Sequence, residues 1–167
     1  FVYRLNEKIL TENSSVWHDV HFTMDSIDKS RIEEYISSAE EIMKDEFKYS
    51  QNFVVKGPRI SLLFPIWEKA CLNLGYNIKV ILPYRNPLEV AMSLKTRDGF
   101  SFERSLLLWS HHVLQAEYLS REYERTSTTF NELVNNPKNV LEKLYGFLNI
   151  EKDEDACNDV VPFIDKK

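Results

Sequence analysis

The sequence predicts an α/β fold, a mostly parallel sheet flanked by helices in three layers. Short apolar or β-branched runs alternate with longer stretches of helical periodicity, the pattern of strands joined by helical crossovers. One of these runs, Ile78, Val80, Ile81 and Leu82, is apolar on both faces, as a strand buried between helix layers should be. Proline and glycine also fall where helices start and stop, with Pro87 and Pro137 at first turns and Gly75 past an end. The chain has 167 residues, 43% of them hydrophobic, which fits one domain over residues 1–167 with a core of ordinary size.

Residues 30–47 read as the clearest helix. Ser30 and Glu33 have capping-box spacing, and Ile32, Tyr35, Ile36, Ala39, Ile42, Met43 and Phe47 trace one apolar stripe. Residues 52–56 (Asn-Phe-Val-Val-Lys) read as a short buried strand broken by Gly57 and Pro58. A helix with Leu62, Leu63, Ile66, Trp67, Ala70, Cys71 and Leu74 on its apolar side follows, and Gly75 stops it. The next strand is residues 77–83. Asn86 then serves as N-cap, Pro87 as first helical residue and Glu89 as the third, a reciprocal capping arrangement. After a polar turn at residues 96–99, residues 101–123 form a long helix with Leu107, Leu108, Trp109, Leu114 and Leu119 as core contacts. Residues 125–130 have the β-branched content of a third strand, and Asn136-Pro137 opens a last helix containing Val140, Leu141, Leu144, Tyr145 and Leu148.

Charge limits the partners. A net charge of −5 and a pI near 5.4 argue against a nucleic-acid surface, and the cations form no continuous block, so any anion site must be local. No apolar run has the length of a transmembrane segment. Cys71 and Cys157 are too few for a disulfide framework. Cys71 lies on the apolar side of its helix as a buried free thiol, which favours a reducing, cytoplasmic location. The chain opens on Phe1, and Gly57, Gly75, Gly99 and Gly146 form no Gly-rich phosphate-cradling loop. Part of a longer protein, truncated at both ends, is therefore expected.

The stretch with the clearest chemistry is residues 79–94. Arg85 leaves the carboxyl end of a strand, where open parallel sheets hold ligands. Ser93 lies seven residues past the Asn86 cap, about two helical turns on, so its hydroxyl returns to the side on which Arg85 emerges. A guanidinium and a hydroxyl converging there suit a phosphate. The blander alternative pairs Arg85 with a surface carboxylate and Ser93 with the carbonyl one turn back.

Arg-Asn-Pro-Leu-Glu-Val-Ala-Met-Ser-Leu, residues 85–94, resembles the 3′-phosphate-binding segment of sulfotransferases that use 3′-phosphoadenosine 5′-phosphosulfate (PAPS). In that family an arginine and a serine eight positions later hold the nucleotide's 3′-phosphate, the spacing of Arg85 and Ser93. Val55-Lys56-Gly57-Pro58-Arg59 resembles the Lys-Asp-Pro-Arg segment of the bacterial carbohydrate-type members. The resemblance implies that Lys56 lies near the transferred sulfuryl group and steadies charge on the leaving phosphate oxygen. It also puts Arg59 at the nucleotide, whereas Gly57 stands where the family has aspartate. Residues 128–133 and the helix after Asn136-Pro137 resemble the segment that carries an aromatic near the adenine. Phe130 takes that place, with a ring but without the usual tyrosine hydroxyl. Residues 4–10 and 15–19 resemble the segment after the 5′-phosphosulfate loop.

The resemblance thus implies a partial P-loop nucleotide-binding fold and sulfuryl transfer from PAPS to a hydroxyl or amine of a glycan or glycolipid acceptor, with no metal. His18, Asp19 and His21 are weaker candidates for a base near the acceptor, and adjacent His111 and His112 point in different directions, unlike an i, i+4 metal pair. Two rivals stay open: a non-catalytic binding or scaffold protein of this fold, and a P-loop kinase-like phosphotransferase.

Overall fold

The computed structural model describes residues 1–48, 50–153 and 155. Cys157 and the segment 161–167 lie outside the described residues. The chain runs α1 (Val2–Glu12), α2 (Ile32–Phe47), α3 (Ile60–Asn73), β1 (Lys79–Tyr84), α4 (Pro87–Asp98), α5 (Phe102–Leu119), β2 (Glu124–Thr129), α6 (Phe130–Asn135) and α7 (Pro137–Leu148). It is α/β, as the sequence predicts, with a small sheet. β1 and β2 pair in parallel from Lys79 opposite Glu124 to Tyr84 opposite Thr129, and α4 and α5 form the crossover between them.

The third expected strand does not form. Residues 52–56 are extended but join no sheet. Their alternation serves packing instead: Phe53 stacks on Phe47 at 4.3 Å and meets Tyr76 edge-on, Val55 leans on the helical core, and Val54 is exposed. A short run with aromatic and β-branched residues fits a strand or a packed loop equally, and no neighbouring strand here offers it hydrogen bonds.

The main core lies among α1, α2 and α3. Ile9, Leu10, Tyr35, Ala39, Met43, Leu62, Leu63 and Ile66 are sealed from solvent there, together with Phe22 from the α1–α2 connection. Two polar groups within this core are paired: Trp67 Nε1 donates to Asn6 Oδ1 at 2.8 Å, and the Tyr35 hydroxyl donates to Glu12 at 3.1 Å. Cys71 is a half-buried free thiol, its Sγ 3.9 Å from the Met43 sulfur, and burial pushes it up to about 11. Pro65 sits inside α3 without ending it.

Capping differs in three places from the sequence reading. α2 is entered through a 3₁₀ turn, and Asp28, not Ser30, supplies the cap by accepting the Ser30 N–H at 3.0 Å. An aspartate two residues upstream outcompetes the serine because its carboxylate also takes the Ser30 hydroxyl, at 2.8 Å. Asn86 caps α4 as expected, accepting the Leu88 N–H at 2.9 Å, but Glu89 turns to Arg85 rather than back to the cap. Residues 96–98 continue α4, and Gly99, at φ 71°, ends it in the left-handed conformation. α5 stops at Leu119, and β2 ends at Thr129. Thr129 forms a capping box with Glu132, so Phe130 opens α6 instead of closing the strand. α1 has no counterpart among the helices read from the sequence. No helix of the described residues is long and apolar enough to cross a membrane.

Candidate functional site

The parallel register builds the site. Tyr84 lies opposite Thr129, so the next residue of each chain segment, Arg85 and Phe130, emerges at the same carboxyl end of the sheet. The Arg85 guanidinium carbon lies 4.4 Å from the centre of the Phe130 ring, a cation–π contact. Between the strand ends lies a cleft of about 160 Å³, lined by Pro83, Tyr84, Arg85, Thr128, Thr129, Phe130 and Leu133. Thr128 Oγ1 is buried there, close enough to the Glu132 carboxylate to help hold it below the usual carboxylate range, behind the larger effect of the Thr129 N–H and hydroxyl.

Arg85 Nε donates to Glu89 Oε2 at 3.0 Å, and both side chains remain about half exposed. This i, i+4 pair follows from Arg85 lying two residues before the start of α4, just ahead of the Asn86 cap, on the face that carries Glu89. Ser93 follows Glu89 by one further turn on that face and is exposed. Arg85, Glu89 and Ser93 therefore form a ladder up one side of α4, with the carboxylate between the two residues expected to hold a phosphate.

Helix α5 braces the site from behind. Trp109 Nε1 donates to the Arg85 carbonyl at 3.1 Å and fixes the strand exit. One turn on, His112 Nδ1 lies 2.7 Å from Ser61 Oγ and 3.1 Å from the Pro58 carbonyl, and its Nε2 lies 3.1 Å from the Trp17 carbonyl. Burial holds His112 below the ordinary imidazole range, and the neutral ring is held by the Trp17 carbonyl at Nε2 and, at Nδ1, by the Pro58 carbonyl and Ser61 Oγ, whose own hydroxyl donates to the Pro58 carbonyl at 2.6 Å. One side of α5 thus ties the exit of β1 to the turn after Lys56 and to residue 17. Neither Trp109 nor His112 stood out in the sequence for this role. Their i, i+3 spacing was the available signal, and it also fits an ordinary core stripe.

Lys56 is exposed in the segment before α3 and does not line the cleft. Arg59 is drawn elsewhere: it pairs with the Glu7 carboxylate, its guanidinium sits over Tyr3 at 4.6 Å, and its side chain is only 13% exposed. The structure therefore brings Arg85 and Phe130 together, with Ser93 along the same helix, and leaves Arg59 out. Asp19 accepts the His21 N–H at 2.9 Å and the Ser15 hydroxyl at 3.0 Å. The His21 bond is the main reason its carboxyl lies below the usual range, and these bonds suit a turn cap better than a base. The chain matches no protein-family model, no curated protein and no solved structure.

Proposed function

We propose that this chain is a PAPS-dependent sulfotransferase domain of the P-loop nucleotide-binding type, cytoplasmic, acting on a hydroxyl or amine of a glycan-type acceptor. The observation that carries the reading is the Arg85–Phe130 contact at the carboxyl end of the parallel strands, with Ser93 on the same side of α4. A guanidinium suits the nucleotide's 3′-phosphate, and an aromatic ring beside it suits the adenine. In the reaction the acceptor oxygen or nitrogen attacks sulfur in line, the bond from sulfur to the phosphate oxygen breaks, and the acceptor proton leaves to a base. Lys56 neutralises charge gathering on the departing oxygen. Arg85, Ser93 and Phe130 bind and orient the donor without touching the sulfur.

Calorimetric titration with adenosine 3′,5′-bisphosphate and with adenosine 5′-monophosphate tests this reading. It requires the bisphosphate to bind about 100-fold or more tightly, since two charge-assisted bonds contribute about 1.5 to 3 kcal/mol each. Equal affinities would remove the reading. A nucleotide-binding protein of the same fold without transfer activity is the second reading, favoured by Gly57 where the family has aspartate and by the engagement of Arg59 with Glu7. Bisphosphate preference without turnover in the full-length protein would select it.

A further inference from the structure

The sheet carries a cavity apart from the Arg85 cleft. It measures about 380 Å³ and is lined by Leu82, Tyr84, Glu117, Arg125, Thr126 and Ser127. That volume falls within the roughly 300 to 1,000 Å³ typical of small-molecule pockets. The register fixes its position: Val80 lies opposite Arg125, Leu82 opposite Ser127 and Tyr84 opposite Thr129, so Leu82, Tyr84, Arg125 and Ser127 share one face of the sheet. The cleft is built on residues 83–85 and 128–130 with Leu133, at the carboxyl ends of the strands. The cavity lies toward their amino ends, and Tyr84 walls both.

Arg125 supplies the polar end. Its Nη1 donates to the Glu117 carbonyl at 2.8 Å and lies 3.5 Å from Ser120 Oγ, and its Nη2 donates to Glu117 Oε1 at 3.2 Å. Engagement of Glu117 through both Nη atoms leaves Nε–H and one Nη2 hydrogen without a partner among the described residues, and these two lie in plane along one edge of the guanidinium. The Ser127 and Tyr84 hydroxyls are likewise unpartnered among the described residues. Glu117 has no oxygen to spare, since Arg121 Nε lies 3.1 Å from both of its carboxylate oxygens and Arg121 Nη2 2.7 Å from Oε2. The Arg121 bonds, joined by those of Arg125, hold the Glu117 carboxyl below the usual range. It therefore stays ionised, and two guanidiniums with one carboxylate leave the cluster a single net positive charge. Bonds to Glu117 also order Arg125 in advance, which reduces the entropy lost when an anion binds.

We propose that this cavity is a second small-molecule site, for a monocarboxylate borne on a flat apolar body such as an aromatic ring. The carboxylate takes two bonds from the Nε and Nη2 edge of Arg125, with the Ser127 hydroxyl as a third donor, and the ring lies on Leu82 and the Tyr84 ring. The free edge is a planar pair of donors, which matches a carboxylate. The net charge is one positive unit, and Glu117 Oε1 already holds the same Nη2, so a doubly charged phosphate meets a repulsion that a monoanion largely escapes. The cavity is also larger than a bare inorganic anion, and Leu82 and Tyr84 give the remaining space an apolar wall. Neither Arg85 nor Phe130 lines it, so the site does not depend on the transferase reading.

The test is an NMR titration of the protein at about 0.15 M salt, the regime in which exposed charges are screened beyond roughly 8 Å. The probes are benzoate, its uncharged counterpart benzamide, and phenyl phosphate. Benzoate should bind at least about tenfold more tightly than benzamide, more tightly than phenyl phosphate, and shift the Arg125 Nε–H and Ser127 amide resonances. Arg125→Lys keeps the charge but removes the paired edge. Ser127→Val suits a strand, narrows the cavity and leaves Arg125 in place, so it decides the matter alone if Arg125→Lys does not fold. Each variant should weaken benzoate by about fivefold or more, whereas Arg85→Ala should leave its affinity within about twofold of the wild type. No binding of benzoate, equal affinity for benzamide, tighter binding of phenyl phosphate, an affinity that survives Ser127→Val, or a loss in Arg85→Ala would overturn the proposal.

Discussion

Helices α1 to α3 seal Tyr35, Met43, Leu63 and Ile66 from solvent, whereas α4 and α5 leave Leu88, Met92, Leu107, Leu114 and Tyr118 more than half exposed. Around the sheet, among the described residues, only Leu82, Ala91, Leu94, Leu108 and Val140 are buried apolar side chains. The difference separates two jobs. The first region holds the chain together through apolar burial, and the second holds a cation and an aromatic ring at the ends of two strands. Substitutions in the first should register in unfolding, and those in the second in ligand affinity.

The largest effect expected on this division is Leu63→Ala, which should cost about 2 to 5 kcal/mol in urea unfolding by emptying a fully buried site in α3. Nucleotide affinity per folded molecule should not change. A comparable loss of affinity would show that the two regions are coupled. Asn6→Ala comes next, at about 1 to 3 kcal/mol, because it strands the buried Trp67 N–H.

His112 joins the regions and gives a pH test. Burial lowers its pKa in the fold, so below about pH 6.5 the unfolded chain takes a proton that the folded chain resists. Stability should fall as pH drops from there to the folded value, with a slope of at most about 1.4 kcal/mol per pH unit. His112→Gln should flatten that part of the stability profile measured by urea unfolding. An unchanged slope would place the proton uptake elsewhere.

The smallest effect belongs to Glu89. Its carboxylate occupies Arg85 in the absence of ligand, and an exposed i, i+4 pair contributes about 0.3 to 0.5 kcal/mol. Glu89→Gln should therefore tighten bisphosphate binding about twofold by calorimetry. Weakened binding would mean that Glu89 orients Arg85 rather than competing for it.

Much of this was legible in the sequence where local chemistry decides the outcome. The α2 stripe, Pro87 and Asn86 at the start of α4, and the Lys79–Tyr84 strand all follow from periodicity and capping. Residues 52–56 misled because their pattern is satisfied by Phe47 and Tyr76 just as well as by a strand partner. At the site, Arg85 and Phe130 were each visible, but their contact depends on strand pairing across an intervening pair of helices, which no local pattern encodes. The pairing of Arg59 was hidden for the same reason, since its partner Glu7 lies 52 residues away in the chain.

The central claim is that Arg85 recognises a phosphate and is not there for stability. The direct measurement is the affinity of Arg85→Ala for adenosine 3′,5′-bisphosphate and 5′-monophosphate, taken with its urea unfolding curve. The account predicts a loss of about 10- to 150-fold for the bisphosphate, little change for the monophosphate, and stability within about 0.5 kcal/mol of the wild type. Equal losses for the two nucleotides, or a bisphosphate affinity that survives the substitution, would contradict it.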